Sequence, residues 1–251
     1  MTDDTPVLLR GFGRGVCKAS RLPCLLMCNL YHMAPRDHVE RYFRAIVPEH
    51  AAVPVGPFGT GLFLRPIDGR VQGVIGQWGM IQPRARARRP DSRAILTNNA
   101  CAETVATRPT YRDARAAGRR CLIPAAWYQE PNWETGRNVW WRLTRADAEP
   151  WAIAGLWSEW AEPATGEIVP NFTLMTVNCD GHPLLGRLHR LCSLLFTGGR
   201  SDRAWQLAAP RHPCISAQSI ASSRRSSPQN NSLPTTKDGA PKMPRSMARG
   251  V

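Results

Sequence analysis

The sequence predicts an α+β fold: a single domain with a largely antiparallel, barrel-like β sheet and a few flanking helices. Six segments are rich in Val, Ile, Trp, Tyr, Phe or Thr, whereas only two segments show helical character. A hydrophobic fraction of 43% with nine Trp residues can build a sizeable core. Many strands with few helices are typical of a mostly antiparallel sheet.

The elements follow in order along the chain. Pro35 can open a helix at its first position, and the apolar face of that helix comprises Val39, Tyr42, Phe43 and Ile46. A short helix at 109–117 is stopped by Gly118. The predicted strands are 71–78, 94–98, 120–128, 138–144, 151–158 and 171–179.

Charge and composition divide the chain into three parts. We expect 1–26 to be an extension upstream of the true start, 27–196 to be the domain, and 197–251 to be a disordered basic tail. The net charge of +14 suggests a polyanionic partner such as nucleic acid. Residues 187–251 carry +9 of it, so the charge is weak evidence for DNA binding by the domain. The loss of pattern after His189, with a rise in Arg, Ser and Pro, indicates a shifted reading frame. Closing elements of the domain would then be missing.

The eight cysteines indicate the cell compartment and argue against a metal site. No two have the C-x-x-C spacing, and the only close pair is Cys24 and Cys28. This pattern fits neither a zinc site nor a secreted disulfide framework. No run reaches the length of a membrane span. We therefore expect a cytoplasmic protein with no metal, no cofactor and no membrane partner.

The segment MCNLY at 27–31 carries the candidate reactive group. An internal Cys is usually an inert buried thiol. A Cys that follows a start Met differs, because trimming of the Met leaves an α-amine and a thiol on adjacent carbons. The pKa values of these groups are about 7.7–8.0 and about 8.5, so both are partly deprotonated near neutral pH. Such an aminothiol condenses with an aldehyde to an imine and then a thiazolidine, which predicts Cys28 as the reactive centre.

Further fragments follow in order: WG at 78–79, NNACAET at 98–104, RRCLIPAAWYQE at 119–130, AIAGLW at 152–157 and GRLH at 186–189. Taken singly, Asn99 reads as a turn residue, Glu130 as a solvated carboxylate and His189 as a surface His. As an ordered set with Met27-Cys28, over roughly residues 27–190, they resemble the SOS-response-associated peptidase (SRAP) family of abasic-site processing proteins.

The resemblance implies a covalent crosslink to abasic sites in single-stranded DNA, together with peptidase activity toward the protein's own leader. With it we expect a nucleoid-associated monomer. Cys28 would supply the amine and thiol that attack the ring-opened sugar aldehyde. Asn99 would hydrogen-bond near the amine and the sugar. Glu130 would transfer protons during imine formation and ring closure. His189 would assist sugar ring opening from the other side.

An aromatic residue and a basic loop are the candidate DNA contacts. Trp78 is either a stacking platform for a base or a core Trp at a strand end, and the two interpretations have similar weight. Arg84, Arg86, Arg88 and Arg89 lie within six residues of an otherwise nearly neutral domain. We expect this loop to bind phosphates, the alternative being a solvated basic loop.

Two departures from the family pattern affect the expected activity. The extension before Met27 would convert the Cys28 amine into an amide, so activity requires an internal start or proteolytic removal of the extension. In addition, Cys101 stands where the family motif has Arg, a residue expected to hold a phosphate beside the abasic sugar. Binding to DNA would be weaker as a result.

Two functions of other classes remain open. The chain could be a non-catalytic single-stranded DNA-binding module whose basic tail supplies the affinity. It could also be a thiol peptidase that uses a Cys28–His189 pair on peptides in trans. Such a peptidase needs no free amine and would tolerate the extension.

Overall fold

The computed structural model describes residues 28–90, 96–132, 134, 136–179, 191–193 and 195–196. Their strands are β1 Tyr31–Met33, β2 Pro54–Val55, β3 Thr60–Ile67, β4 Arg70–Trp78, β5 Asn99–Cys101, β6 Arg120–Asn132, β7 Val139–Leu143, β8 Trp151–Ala161, β9 Ile168–Asn178, β10 Leu191–Ser193 and β11 Leu195–Phe196. Two helices accompany them in these ranges, α1 Arg36–Phe43 and α2 Arg112–Ala116.

Five strands close into a barrel in the order β3-β4-β9-β8-β6, with β6 returning to β3. The closing contact pairs Leu64 with Leu122. Neighbours in the ring are antiparallel except β4 and β9, which are parallel. Shorter strands extend the sheet: β1 and β7 pair with β6, β5 and β10 with β9, β2 with β1, and β11 with β8. The expected fold class, α+β with a largely antiparallel barrel-like sheet, is confirmed.

The β3–β4 hairpin shows how local sequence sets the register. Asp68 and Gly69 form its two-residue turn, with φ of 50° and 74°. A turn with two positive φ angles matches the right-handed twist of the flanking strands, and Asp-Gly is a favoured pair for it. The hairpin runs without a break from Ile67–Arg70 to Thr60–Gln77 and forms one wall of the barrel.

The longest strand, β6, joins the barrel to the outer strands. Its first half pairs with β8 up to Ala125, and its second half pairs with β7 from Tyr128 to Asn132. On the other side, β1 pairs with residues Ala125–Tyr128 across a register shift. Pro124 cannot donate a ladder hydrogen bond, but its carbonyl accepts one from the Ala34 amide at 3.2 Å. Strand β1 therefore lies at one end of the barrel, paired with the part of β6 that extends beyond β8.

Most predicted elements are present, with shifted ends. Helix α1 is the one predicted at Pro35, but it ends at Phe43, because Arg44 adopts a left-handed φ of 51°. Ile46 is therefore not on its apolar face; it bridges to Gln72 and is 55% exposed. The helix predicted at 109–117 is the shorter α2.

The strand predicted at 94–98 was misplaced. Thr97 and Asn98 lie outside any strand, and β5 begins at Asn99. Strands β1, β2, β3, β10 and β11 were missed. The extension 1–26, the tail 197–251 and His189 lie outside the described residues.

None of the described helices is long and apolar enough to cross a membrane.

A glycine on β8 tests how closely the barrel strands pack. A Cβ atom on Gly155 would lie 2.4 Å from the Thr173 carbonyl oxygen and 2.5 Å from Cδ1 of Ile123. We expect Gly155→Ala to lower the free energy of unfolding by about 1–3 kcal/mol, a typical cost of overpacking. Urea unfolding followed by tryptophan fluorescence measures it.

Gly56 is the matched control, because its added Cβ would meet nothing closer than 3.9 Å. Gly56→Ala should change the free energy of unfolding by about 0.5 kcal/mol or less. Equal effects of the two substitutions would contradict close strand packing at Gly155.

Candidate active site at one end of the barrel

Four separated segments meet at one end of the barrel. Cys28 precedes β1, Asn98 and Asn99 lead into β5, Glu130 lies near the end of β6, and Ser193 ends β10. β1 brings Cys28 to Glu130, because the Gln129 amide donates to the Leu30 carbonyl at 2.9 Å. All five residues are buried. The structure therefore brings together three of the four predicted catalytic residues, Cys28, Asn99 and Glu130.

The main chain of Cys28 is held by two asparagine side chains. Nδ2 of Asn99 donates to the Cys28 carbonyl oxygen at 2.8 Å, and Nδ2 of Asn98 donates to the same oxygen at 3.4 Å. Nδ2 of Asn98 also donates to Oδ1 of Asn29 at 3.3 Å. Two donors on one carbonyl fix the position and direction of the Cys28 backbone.

The asparagines are themselves anchored through their main chains. The Asn98 carbonyl accepts from Nε1 of Trp78 at 2.8 Å and from the Leu174 amide at 2.9 Å. The Asn99 carbonyl accepts from the Tyr111 hydroxyl at 3.1 Å. The Nδ2 groups are thus presented to Cys28 by a rigid strand entry.

Each asparagine also buries its side-chain oxygen. Oδ1 of Asn98 and Oδ1 of Asn99 have no hydrogen-bond partner among the residues that the structure describes. A buried acceptor without a donor costs about 1–3 kcal/mol. Such atoms beside a cysteine can accept from a further donor, for example an amine or a ligand hydroxyl.

Glu130 is a buried carboxyl with one engaged oxygen. Oε1 accepts from the Ser193 amide at 3.3 Å and from the Ser193 hydroxyl at 3.1 Å. Oε2 is buried and has no partner within the described part of the chain. Burial raises the pKa of Glu130 to about 8, although the Ser193 hydrogen bonds oppose the rise. The group is therefore protonated at neutral pH and able to donate a proton.

The thiol of Cys28 is also buried, at 1% exposure. Burial raises its pKa well above the ordinary value, and the charge of Glu130 adds to the rise. The sequence-based expectation of a partly deprotonated thiol is wrong, because it used the pKa of an exposed cysteine. The thiol is a neutral donor here, directed at the Leu30 carbonyl at 3.8 Å.

The predicted stacking role of Trp78 is also wrong. Its side chain is 0% exposed, so neither face of the ring is open to a base. Tyr31 packs edge-on against it with centroids 5.0 Å apart. The core alternative is the one observed, and the indole N–H anchors Asn98.

The four arginines of the basic loop differ in their partners. Arg88 pairs with Glu167 at 2.6 Å and with Glu162 at 3.3 Å. Nη2 of Arg89 donates to the Phe58 carbonyl at 3.4 Å. Arg84 and Arg86 are exposed and form no ion pair with any described residue. The loop therefore uses Arg88 and Arg89 for its own structure and leaves the charges of Arg84 and Arg86 available.

Cys101, at the variant position of the family motif, is partly buried on β5. Its thiol donates to Oε2 of Glu103, and burial together with this carboxylate raises the pKa of Cys101 to about 11. Oε1 of Glu103 accepts from the Asn178 amide at 2.9 Å. Glu103 thus ties β5 to the end of β9.

Two residues of the site were missed from the sequence. Asn98 could have been identified, because it directly precedes Asn99, the asparagine of the motif. Ser193 gave none, because a lone Ser in an apolar run has no characteristic pattern. His189, predicted to be catalytic, lies outside the described residues. Within the described ranges, no three His, Cys, Asp or Glu side chains form a group that could hold a metal ion.

Comparison with known proteins gives a family and one named relative. The model of the SOS response associated peptidase (SRAP) family matches residues 27–219. The abasic site processing protein HMCES of Xenopus tropicalis is 22% identical over 146 residues, which cover 51% of this chain and 43% of that protein. The matching region therefore spans less than half the length of this relative.

Two crystal structures share the fold. A protein from Bordetella bronchiseptica has a TM-score of 0.62 and 32% identity, and the match covers 73% of this chain and 90% of that one. A protein from Bacteroides thetaiotaomicron has a TM-score of 0.56 and 18% identity over 78% and 85% of the two chains, which shows the fold alone. Because the family model matches well over half of the chain, this protein belongs to the SRAP family.

Proposed function

We propose that this protein crosslinks covalently to abasic sites in single-stranded DNA through an N-terminal Cys28. The observation that carries the proposal is the immobilised Cys28 backbone with its thiol beside a buried, protonated carboxyl. The SRAP family match, which opens at Met27, and the name of the Xenopus tropicalis relative support it. The role would be in the response to DNA damage.

The first step is imine formation. The unprotonated amine of Cys28 attacks C1′ of the ring-opened abasic sugar, a C–N bond forms, and the aldehyde oxygen leaves as water. Expelling water needs a proton donor, and Glu130 is protonated at neutral pH because its pKa is about 8. Oδ1 of Asn99, which lacks a partner among the described residues, would accept a hydrogen bond from the amine. The amine is thereby held in position for attack.

The second step closes the ring. Sγ of Cys28 adds to the carbon of the protonated imine left by the first step, a C–S bond forms, and the C=N electron pair returns to the nitrogen, which keeps the proton it already carries. The ionised Glu130 left by the first step takes the thiol proton, so the carboxyl returns to its starting form. A thiol with a raised pKa needs such a base beside it. His189 is proposed, from the motif alone, to open the sugar ring.

The protein would also remove its own leader, since an amide at Cys28 cannot form an imine.

Two competing functions have less support. A thiol peptidase acting in trans needs a base that ionises the buried Cys28 thiol, and the base expected for it, His189, lies outside the described residues. A binding module without chemistry leaves the buried Glu130 carboxyl unexplained.

The N-terminus of Cys28 provides the most direct test. A version of the protein that starts at Met27 should give a heat-stable covalent adduct with single-stranded DNA carrying one abasic site. A version that starts at Met1 should do so only after its leader is removed. Denaturing gels measure the adduct, and intact mass reports the N-terminus. An uncleaved Met1 version that crosslinks equally well would sink the proposal.

Substitution of Cys28 separates the two steps. Cys28→Ser and Cys28→Ala keep the terminal amine but lose the thiol, so each should stop at the imine. Their adducts should survive denaturation only after borohydride reduction. A heat-stable adduct from either variant without borohydride would show that the thiol does not close a ring.

Glu130→Gln tests the proton donor. We expect the rate of crosslinking to fall by about 10²–10⁴-fold, the typical contribution of a general acid or base. In the wild type the pKa of Glu130 is about 8, so the proton is lost and the rate declines above that pH. This decline should disappear in Glu130→Gln. Single-turnover rates from pH 5.5 to 10 measure both effects, and an unchanged profile would remove Glu130 from the mechanism.

Arg84 and Arg86 are the proposed phosphate contacts. Replacing both with Gln should weaken binding to single-stranded DNA of any sequence and reduce the salt slope by about 1.4, since each phosphate contact contributes about 0.7. Arg44 and Arg70 are exposed at the other end of β4, which makes Arg44→Gln/Arg70→Gln the matched control. Fluorescence anisotropy at several salt concentrations distinguishes the pairs. Equal losses in both would leave the loop without a specific role.

A further inference from the structure

Ser193 directs two donors at one oxygen of a buried acid. It is 0% exposed at the end of β10, where pairing with Thr176 of β9 fixes its main chain. Its amide lies 3.3 Å and its hydroxyl 3.1 Å from Oε1 of Glu130. A serine hydroxyl has one proton to donate, and this one is directed at the carboxyl. Oε2 has no partner among the described residues.

We infer that Ser193 is a positioning residue for Glu130: by holding Oε1 it fixes the carboxyl and leaves Oε2 as the oxygen that exchanges protons at Cys28. The inference rests on the proposed function of this site. Two donors on one oxygen prevent the carboxyl from rotating, so the same oxygen faces the reacting groups in both steps. The amide donor is part of the backbone, whereas the hydroxyl can be removed by substitution.

The hydroxyl also adjusts the acidity of the carboxyl. Burial raises the pKa of Glu130, and the hydrogen bonds from Ser193 lower it because they favour the ionised form. Without them the carboxyl would be harder to ionise and less able to release its proton. The titratable groups around it are the Cys28 thiol, which interacts with Glu130, Tyr31, which interacts with that thiol, and Tyr128, two residues earlier on β6. From the opposite strand β7, Trp141 pairs with Glu130.

The first test follows the pH dependence of crosslinking. Ser193→Ala should raise the pKa of Glu130 and move the decline, expected near pH 8 in the wild type, upward by about one to two pH units. Ser193→Thr keeps the hydroxyl and should restore the wild-type profile, whereas Ser193→Val, of the same shape as Thr, should not. Ser158→Ala is a matched control, because Ser158 is a buried serine on β8 that contacts Arg119 and not Glu130.

The second test does not require DNA. Glu130 has a folded pKa of about 8 against an ordinary 4.5, so the folded state binds the extra proton between these values. The free energy of unfolding contributed by this group therefore falls as pH rises from 4.5 to 8. In Ser193→Ala the fall should continue to higher pH, and in a Glu130→Gln background the serine substitution should have no pH-dependent effect. Urea unfolding across pH measures it.

The two readouts separate the inference from the proposed function. A wild type that does not crosslink, combined with a stability profile that responds to Ser193→Ala through Glu130, would refute the crosslinking function and retain the Ser193–Glu130 coupling. If removing the Ser193 hydroxyl changes neither the pH dependence of stability nor that of crosslinking, the inference is overturned. If Ser193→Ala does not fold, the comparison of Thr with Val at this position decides between the same outcomes.

Discussion

The hydrogen bond from Asn99 to the Cys28 carbonyl is the contact on which the rest of the site depends. It joins the segment before β1 to the start of β5 at 2.8 Å. A buried carbonyl needs a hydrogen-bond donor, so this bond fixes the position of Cys28 at one end of the barrel. Pairing of β1 with β6 then places Glu130 against the thiol. The barrel acts as the frame that holds both partners at fixed distance.

Burial gives this site its chemistry and also costs stability. Removing Glu130 and Cys28 from water raises the pKa of both groups, so each is neutral in the resting protein. A neutral carboxyl is a proton donor, and once it has lost its proton it becomes a base for the neighbouring thiol. An exposed carboxyl with its ordinary pKa would be ionised at neutral pH and could not donate a proton. The oxygens of Asn99 and Glu130 that have no partner among the described residues add to this cost in stability.

Local signals explain which parts of the fold and site could be predicted. Strands with continuous β-branched and aromatic residues, such as β6 and β8, were found, although the strand predicted at 120–128 stops short of the end of β6 at Asn132. The β3–β4 hairpin was missed even though Asp68-Gly69 carries its turn signal, because only one of its flanking runs was recognised. Trp78 shows the limit for side chains: a strand-end Trp has the same sequence pattern whether its ring packs inward or faces a base. Ser193 became visible only once β10 was paired with β9.

The carboxylate of Glu103 changes the effect expected from a cysteine at position 101. From the sequence, the motif arginine at this position is expected to hold a phosphate, and its replacement is expected to weaken DNA binding. In this structure Glu103 lies between the Cys101 thiol and the Asn178 amide. An arginine at 101 would meet the same carboxylate, and an ion pair with it would compete with a phosphate for the guanidinium. An arginine at position 101 would divide its charge between Glu103 and a phosphate. The cysteine therefore removes only a shared contact with DNA.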